Sequence, residues 1–192
     1  MKSGSLKVYQ TPRLLLRQWK DSDREPFAEM SSDSRVMEHF PSLLSRSESD
    51  AVADKISGLI HERGWGFWAL EEKSSGRFIG FTGLHIPIPE LPFSPCVEIG
   101  WRLMFSDWGK GFASEAAAKA LEVAFENIKL QEVVAFATIG NFRSHKVMER
   151  LGMRKDYEFE HPGLDLESPH RKHVLYRISK RSGLSAGNPR TR

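Results

Sequence analysis

Hydrophobic and polar positions along this chain change their period several times, and each change marks an element. "RLLLRQW" (Arg13 to Trp19) reads as a first strand. "DSDREPFAEM" follows as a helix, with Asp21 as its expected N-cap and Pro26 in its early part. In "SESDAVADKISGLIHERG", Ala51, Ile56, Leu59 and Ile60 recur at roughly helical spacing and Gly64 supplies a stop. The period then shortens. "WGFWALEE" and "RFIGFTGLH" are short aromatic and β-branched runs joined by "KSSG", which predicts a hairpin. A proline-heavy loop, "IPIPELPFSPC", leads into "VEIGWRLMF", where Val97, Ile99, Trp101 and Leu103 alternate with Glu98, Gly100, Arg102 and Met104 as in a third central strand.

The clearest helix begins in "FSDWGKGFASEAAAKALEVAF". Ala113, Ala116, Ala117, Ala120, Leu121 and Ala124 share one face, and Glu115 and Lys119 are expected to pair at i, i+4 on the other. An alanine face lets a helix lie close to a sheet. "EVVAFATI" is then a strand, "NFRSHKVMERLG" a short helix ended by Gly152, and "MRKDYEFE" and "HVLYRIS" are closing strands. This order predicts an α/β fold, a mixed sheet with helices on both faces. With no internal repeat, residues 1–180 read as one domain. The small, polar, basic residues 181–192 read as a flexible tail.

Composition narrows the function classes. The 192 residues are 40% hydrophobic and 28% charged, enough apolar material for a core without staples. Cys96 is the sole cysteine, so no internal disulfide forms and a reducing, cytoplasmic setting is expected. No apolar stretch approaches a membrane span, and the apolar run in "MKSGSLKVYQTPRLLLRQW" is too short for a signal peptide. The net charge of +3 comes from Lys and Arg spread along the chain, without an aromatic-interleaved basic motif, which argues against a nucleic-acid role. His170 and His173 lack zinc-ligand spacing and partners, so no metal is expected. They read as strand-edge residues, His145 as a surface residue, and Trp65, Phe67 and Trp68 as core.

The chemistry concentrates where a strand meets the alanine-rich helix. Gly109 and Gly111 allow close backbone approach, and unpaired amides converge there with the positive end of a helix dipole, as suits a phosphate. For two glycines alone, an ordinary strand-to-helix turn is the favoured reading. A Walker loop would need GxxxxGK followed by Ser or Thr, which is absent. A dinucleotide fingerprint would need a third glycine where Ser114 stands.

"VEIGWRLMFSDWGKGFASEAA" followed by "NFRSHKVMERLGM" resembles the GCN5-related N-acetyltransferases (GNAT), in particular the ribosomal-protein N-terminal acetyltransferase, or RimJ/RimL-like, branch. Trp108 stands where the family's pyrophosphate motif has Gln or Arg, a departure common in that branch. The resemblance spans nearly the whole domain. It implies the GNAT fold, a mostly antiparallel sheet splayed between its fourth and fifth strands, here Glu98 to Leu103 and Val133 to Thr138. It also implies acetyl-CoA as cosubstrate, its pyrophosphate held by the backbone of Trp108, Gly109, Lys110, Gly111, Phe112, Ala113 and Ser114, with Lys110 as a nearby cation. Pantetheine would lie along Ile99, Gly100 and Trp101 and against Asn141, with Ser144 near the thiol. Asn141 and Ser144 read equally as helix-capping residues.

The implied reaction is direct attack of an amine on the thioester. An α-amine of pKa near 8 is roughly a tenth neutral at pH 7, so it needs only weak help from a base, unlike lysine. Glu98 stands where some family members carry their general base, and reads equally as a solvent-facing strand carboxylate. Met148 occupies the place of the tyrosine acid of many relatives, which leaves Ser144 or water to serve the thiolate. The expected activity is that of an acyltransferase with a protein or peptide N-terminal amine as acceptor. Alternatives are a small-molecule amine, such as a polyamine or amino sugar, and a non-catalytic acyl-CoA-binding module. "VMEHFPSLLSRSES" and the proline-rich loop are the candidate acceptor-selecting segments. Monomer and homodimer are both left open.

Overall fold

The computed structural model describes residues 7–180, so the tail expected at 181–192 lies outside the described residues. Among those described, the elements run β1 (Tyr9–Gln10), β2 (Leu14–Arg17), α1 (Arg24–Ser32), α2 (Arg46–Arg63), β3 (Phe67–Glu72), β4 (Phe78–His85), β5 (Glu98–Leu103), α3 (Phe112–Glu122), β6 (Glu132–Thr138), α4 (Phe142–Arg150), β7 (Arg154–Glu160) and β8 (Lys172–Ser179). The strands form a single sheet in the order β1-β2-β3-β4-β5-β6-β8-β7. All neighbours are antiparallel except β5 and β6, which are parallel. The sheet is mixed and mostly antiparallel, as expected, with the short β1 an addition to the sequence reading.

Alternation along the strands feeds two apolar layers. Trp68, Leu70, Ile79, Ile99 and Leu103 meet the α3 residues Phe112, Ala116, Ala117 and Ala120 in one core. Ala69, Phe78 and Phe81 face the opposite side and pack with Phe27 and Met30 of α1 and Ala53 of α2. Helices therefore cover both faces.

Four local expectations are corrected. Asp21 does not cap the first helix. It lies in a 3-10 turn, Asp21–Asp23, that precedes α1. Buried Asp23 instead accepts from the Lys20 amide at 2.8 Å and from Arg17 at 2.7 and 2.9 Å. Arg17 is buried as well and also reaches Glu71 at 2.6 Å, a demand that an exposed Asp21 cannot meet. In α2 the inward face carries Ser49, Ala53, Ile56 and Ile60, whereas Ala51 is exposed. Glu115 does not pair with Lys119. Its carboxylate accepts from the Arg13 Nε and amide and from Thr11, and Lys119 goes to Glu122 at 2.6 Å. Several charge-assisted bonds outweigh one i, i+4 pair. His145 is buried, its Nε2 3.0 Å from the Thr138 carbonyl oxygen.

The helix ends behave as the sequence suggests elsewhere. Ser45 caps α2, its side chain accepting from the Glu48 amide while Glu48 accepts from the Ser45 amide at 2.8 Å, and Gly64 closes the helix at φ +79°. Ser45→Ala is expected to lower stability by about 1 kcal/mol, read from the urea midpoint at unchanged slope.

Candidate active site

The sheet opens at its one parallel junction. β5 is paired along its whole length with β4, and β6 with β8. Between β5 and β6 a single bridge forms, Glu98 opposite Val134, with the Val134 amide donating to the Val97 carbonyl at 2.9 Å. Past it the strands diverge, and the facing edge of β5 has no strand partner. Both strands already have full ladders on their outer sides, so the divergence leaves only these inner edges unpaired.

At the far end of β5 the chain turns into α3. The Trp108 indole N–H donates to the Leu103 carbonyl at 3.0 Å and anchors the turn to the strand end. Gly109 and Gly111 take φ of +75° and +81°, a region that side chains rarely adopt. No side chain caps α3. The amides of Phe112, Ala113 and Ser114 are thus free of intrahelical partners at the positive end of the helix. The Arg13 Nη1 donates to the Lys110 carbonyl at 3.0 Å, and Arg13 also binds Glu115, tying the loop to the helix it opens.

Lys110, the expected phosphate cation, is engaged with a neighbouring carboxylate. The Lys110 Nζ pairs at 2.8 Å with Asp107, a buried carboxylate that also draws Arg77 to 3.4 Å. The cations lining the cavity beside the glycine loop include Arg143, Lys146 and Arg150 of α4. Their spacing of three, then four, residues places them on one helix face and was legible in "RSHKVMER".

Two cavities lie along the opening. One, of about 420 Å³, runs beneath the glycine loop and is lined by Trp108, Gly109, Gly111, Phe112, Ala113 and Ser114. The other, of about 350 Å³, lies over the first half of β5 and is lined by Glu98, Ile99 and Gly100 together with β6. Trp101, Arg102, Asn141 and Ser144 line both, so the cavities meet at the start of α4. Asn141 Oδ1 accepts from the Ser144 amide at 3.1 Å, the capping role read from sequence, which leaves its side-chain N–H groups for other partners.

Glu98 is partly exposed on the wall of the second cavity. Burial pushes its carboxyl up to about 8, with no partner or neighbouring charge offsetting the effect. Met148 is buried and lines this cavity, and no tyrosine among the described residues lines either one. The wall completes itself from distant segments. His39 and Phe40 come from the loop after α1, Phe67 from β3, His85 from β4, His161 and His173 from the β7–β8 region. Burial is the largest influence on all four histidines and holds them below their ordinary range. Phe67 packs against the core, as expected, and also lines this cavity, and His173 is buried rather than at a strand edge. Of the two candidate selecting segments, the one containing His39 to Pro41 lines the cavity and the proline-rich loop does not. His161 and His173 lie 5.2 Å apart between ring centroids, but among the described residues no cluster of three or more His, Cys, Asp or Glu is placed to hold a metal. Among the same residues, no helix is long and apolar enough to cross a membrane.

Residues 13–154 match the family model described as the acetyltransferase (GNAT) domain. The chain is 30% identical over 151 residues to YnaD of Bacillus subtilis, an N-acetyltransferase itself uncharacterised, covering 78% of this chain and 84% of that one. A crystal structure of a GNAT-family acetyltransferase from Bacillus anthracis superimposes with a TM-score of 0.76 at 25% identity, covering 90% of this chain and 98% of that one. A shorter match, 33% identical over 84 residues, covers 44% of this chain and 45% of YdaF of Bacillus subtilis, provisionally named a ribosomal N-acetyltransferase.

Proposed function

The chain belongs to the GNAT acetyltransferases and is an acyltransferase enzyme, and we propose that residues 1–180 form a single domain that moves the acetyl group of acetyl-CoA directly to a primary α-amine, with a protein or peptide N-terminus as acceptor. The observation that carries this reading is the pair of cavities meeting at Asn141 and Ser144, one under a glycine loop and uncapped helix, the other holding Glu98. The partial match to YdaF supports the choice of an N-terminal amine and the RimJ/RimL-like branch. The sole cysteine supports a cytoplasmic setting.

The residues present fit acetyl-CoA. Left-handed Gly109 and Gly111 and the free amides through Ser114 suit a pyrophosphate, with Arg143, Lys146 and Arg150 adding positive charge. The unpaired edge of β5 past Glu98, along Ile99, Gly100 and Trp101, suits the amides of pantetheine, with Asn141 donating from the opposite side. Acetyl-CoA supplies a thioester, which a neutral amine attacks directly and from which the CoA thiolate departs.

The chain's own groups then divide the work. Backbone N–H groups on the open edge of β5 stabilise charge developing on the carbonyl oxygen. Glu98, in its ionised form, takes the proton that the amine sheds, directly or through water. Its position near 8 matches a base working close to neutral pH. With Met148 at the usual tyrosine place, Ser144 orients the sulfur, and the thiolate, a weak base, takes its proton from water.

The test is calorimetric titration with acetyl-CoA, with NAD as control, followed by thiol-detected CoA release with N-terminal peptides. Micromolar binding and acceptor-dependent release are expected. An absence of acetyl-CoA binding would remove the reading.

A further inference from the structure

Where the two cavities meet, the wall carries a cation, Arg102, with no ion-pair partner among the described residues. Arg102 shares a face of β5 with Glu98 and Gly100, and its guanidinium lies 4.0 Å from the Phe40 ring centroid and 5.4 Å from that of Phe81. Its Nε is buried without a hydrogen-bond partner. The buried charges Arg17 and Asp107, by contrast, are paired, Arg17 with Asp23 and Glu71 and Asp107 with Lys110 and Arg77. A half-buried guanidinium whose desolvated Nε has no partner is costly unless something outside the fold completes it.

The cavity itself offers no completion. Glu98 is the only carboxylate among the described residues that line it. It stands four residues away, roughly 13 Å along the strand, and with a pKa near 8 it is mostly protonated at pH 7. His39, His85, His161 and His173 are held toward their neutral forms. Burial pulls Arg102 only down to about 10, so it keeps its charge. At neutral pH the cavity therefore presents one positive charge among aromatic walls, an environment that repels a polyamine.

Cofactor binding does not account for Arg102 as well. The cavity under the glycine loop has Arg143, Lys146 and Arg150 of its own. Arg102 and Phe40 line both cavities, but Arg102 lies on the face of β5 opposite Ile99 and Leu103, which pack against α3, and its other aromatic neighbour, Phe81, lines the second cavity and not the first.

We propose that the acceptor is an α-amine with a carboxylate a few bonds away, and that Arg102 recognises that carboxylate while the aromatic walls take an apolar group. The proposal rests on the acetyltransferase reading and adds the acceptor's chemistry to it. The carboxylate has two sources, a free α-amino acid or an acidic residue at the start of a peptide.

The experiment compares acceptors in pairs, by CoA release: L-phenylalanine against L-phenylalaninamide, and C-terminally amidated peptides beginning Ala-Glu against Ala-Gln. The carboxylate member of at least one pair is expected to show a KM, expressed per neutral amine, roughly 10- to 100-fold lower, at similar kcat, the size of one hydrogen-bonded charge contact. The pair that responds identifies the source. Arg102→Gln should bring the ratio close to one while the acetyl-CoA Kd stays within about threefold, and removal of a half-buried, unpaired charge should leave Tm unchanged or higher. Neutral members that serve equally well, an unchanged ratio in Arg102→Gln, or a variant that loses acetyl-CoA affinity while keeping the ratio, would each overturn the proposal. Acetyl-CoA binding without release from either charged acceptor would overturn it too. Failure of acetyl-CoA to bind at all would instead strike the function beneath it.

Discussion

Gly111→Glu lowers acetyl-CoA affinity by at least about 100-fold in calorimetric titration. Two effects add. Gly111 sits at φ +81°, where a side chain costs about 1–2 kcal/mol, and the new carboxylate stands at the mouth of a site built to receive phosphates. Crowding is not the cause, since a Cβ there would approach only Arg13 Nη2, at an ordinary 3.5 Å. Gly111→Gln carries the same strain and bulk without charge, so the difference between the two variants isolates electrostatics. Thermal melts of both should stay within several degrees of the parent. Unchanged affinity in the glutamate variant would detach the loop from the cosubstrate.

Glu98→Gln reduces kcat/KM by about 100-fold at pH 8 and changes the shape of the pH profile. In the parent, two groups must lose a proton: Glu98 near 8 and an acceptor α-amine whose ordinary value is also about 8. The logarithm of kcat/KM should therefore rise with a slope approaching two below about pH 7.5 and level off above about 8.5. Without the carboxylate a slope of one remains, from the amine alone. An identical profile in the variant would make Glu98 a bystander on the cavity wall.

The same carboxyl links to stability with a definite sign. The folded state raises its pKa from the ordinary 4.5 to about 8, so the folded protein holds this proton more tightly than the unfolded chain. Its contribution is complete below about pH 4.5 and is lost as pH rises through about 8. Glu98→Gln should match the parent's Tm at pH 5 and exceed it by roughly 3 °C or more at pH 9. A scanning calorimeter decides between this and a solvated carboxylate, for which the two curves would coincide at both pH values.

How much of this was legible beforehand varied with the range of the interaction. Periods of two and of 3.6 depend on neighbours a few residues apart, so the strands around Trp68, Ile79 and Ile99 and the alanine face of α3 were readable from "GFWAL", "RFIGF", "VEIGW" and "ASEAAAKAL". The glycine loop was readable for the same reason, because a left-handed turn before a helix is written in consecutive residues. So was the capping contact of Asn141 with Ser144, three residues apart.

Charge partners were not legible, because they are chosen by burial. Lys110 turns to Asp107 because that carboxylate is buried, and Glu115 turns to Arg13 because β2 begins beside it. The second cavity is the extreme case. Phe40, Phe67, His85, Phe136, His161 and His173 come from six separate segments, and no local pattern joins them. By itself, the sequence determined the order of elements, the phosphate-type loop and the kinship with acetyltransferases, all carried by short-range pattern. Only the tertiary structure decided that Glu98 is half-buried in a cavity wall and that Arg102 has no ion-pair partner among the described residues, because burial depends on everything packed around a group and not on its place in the chain.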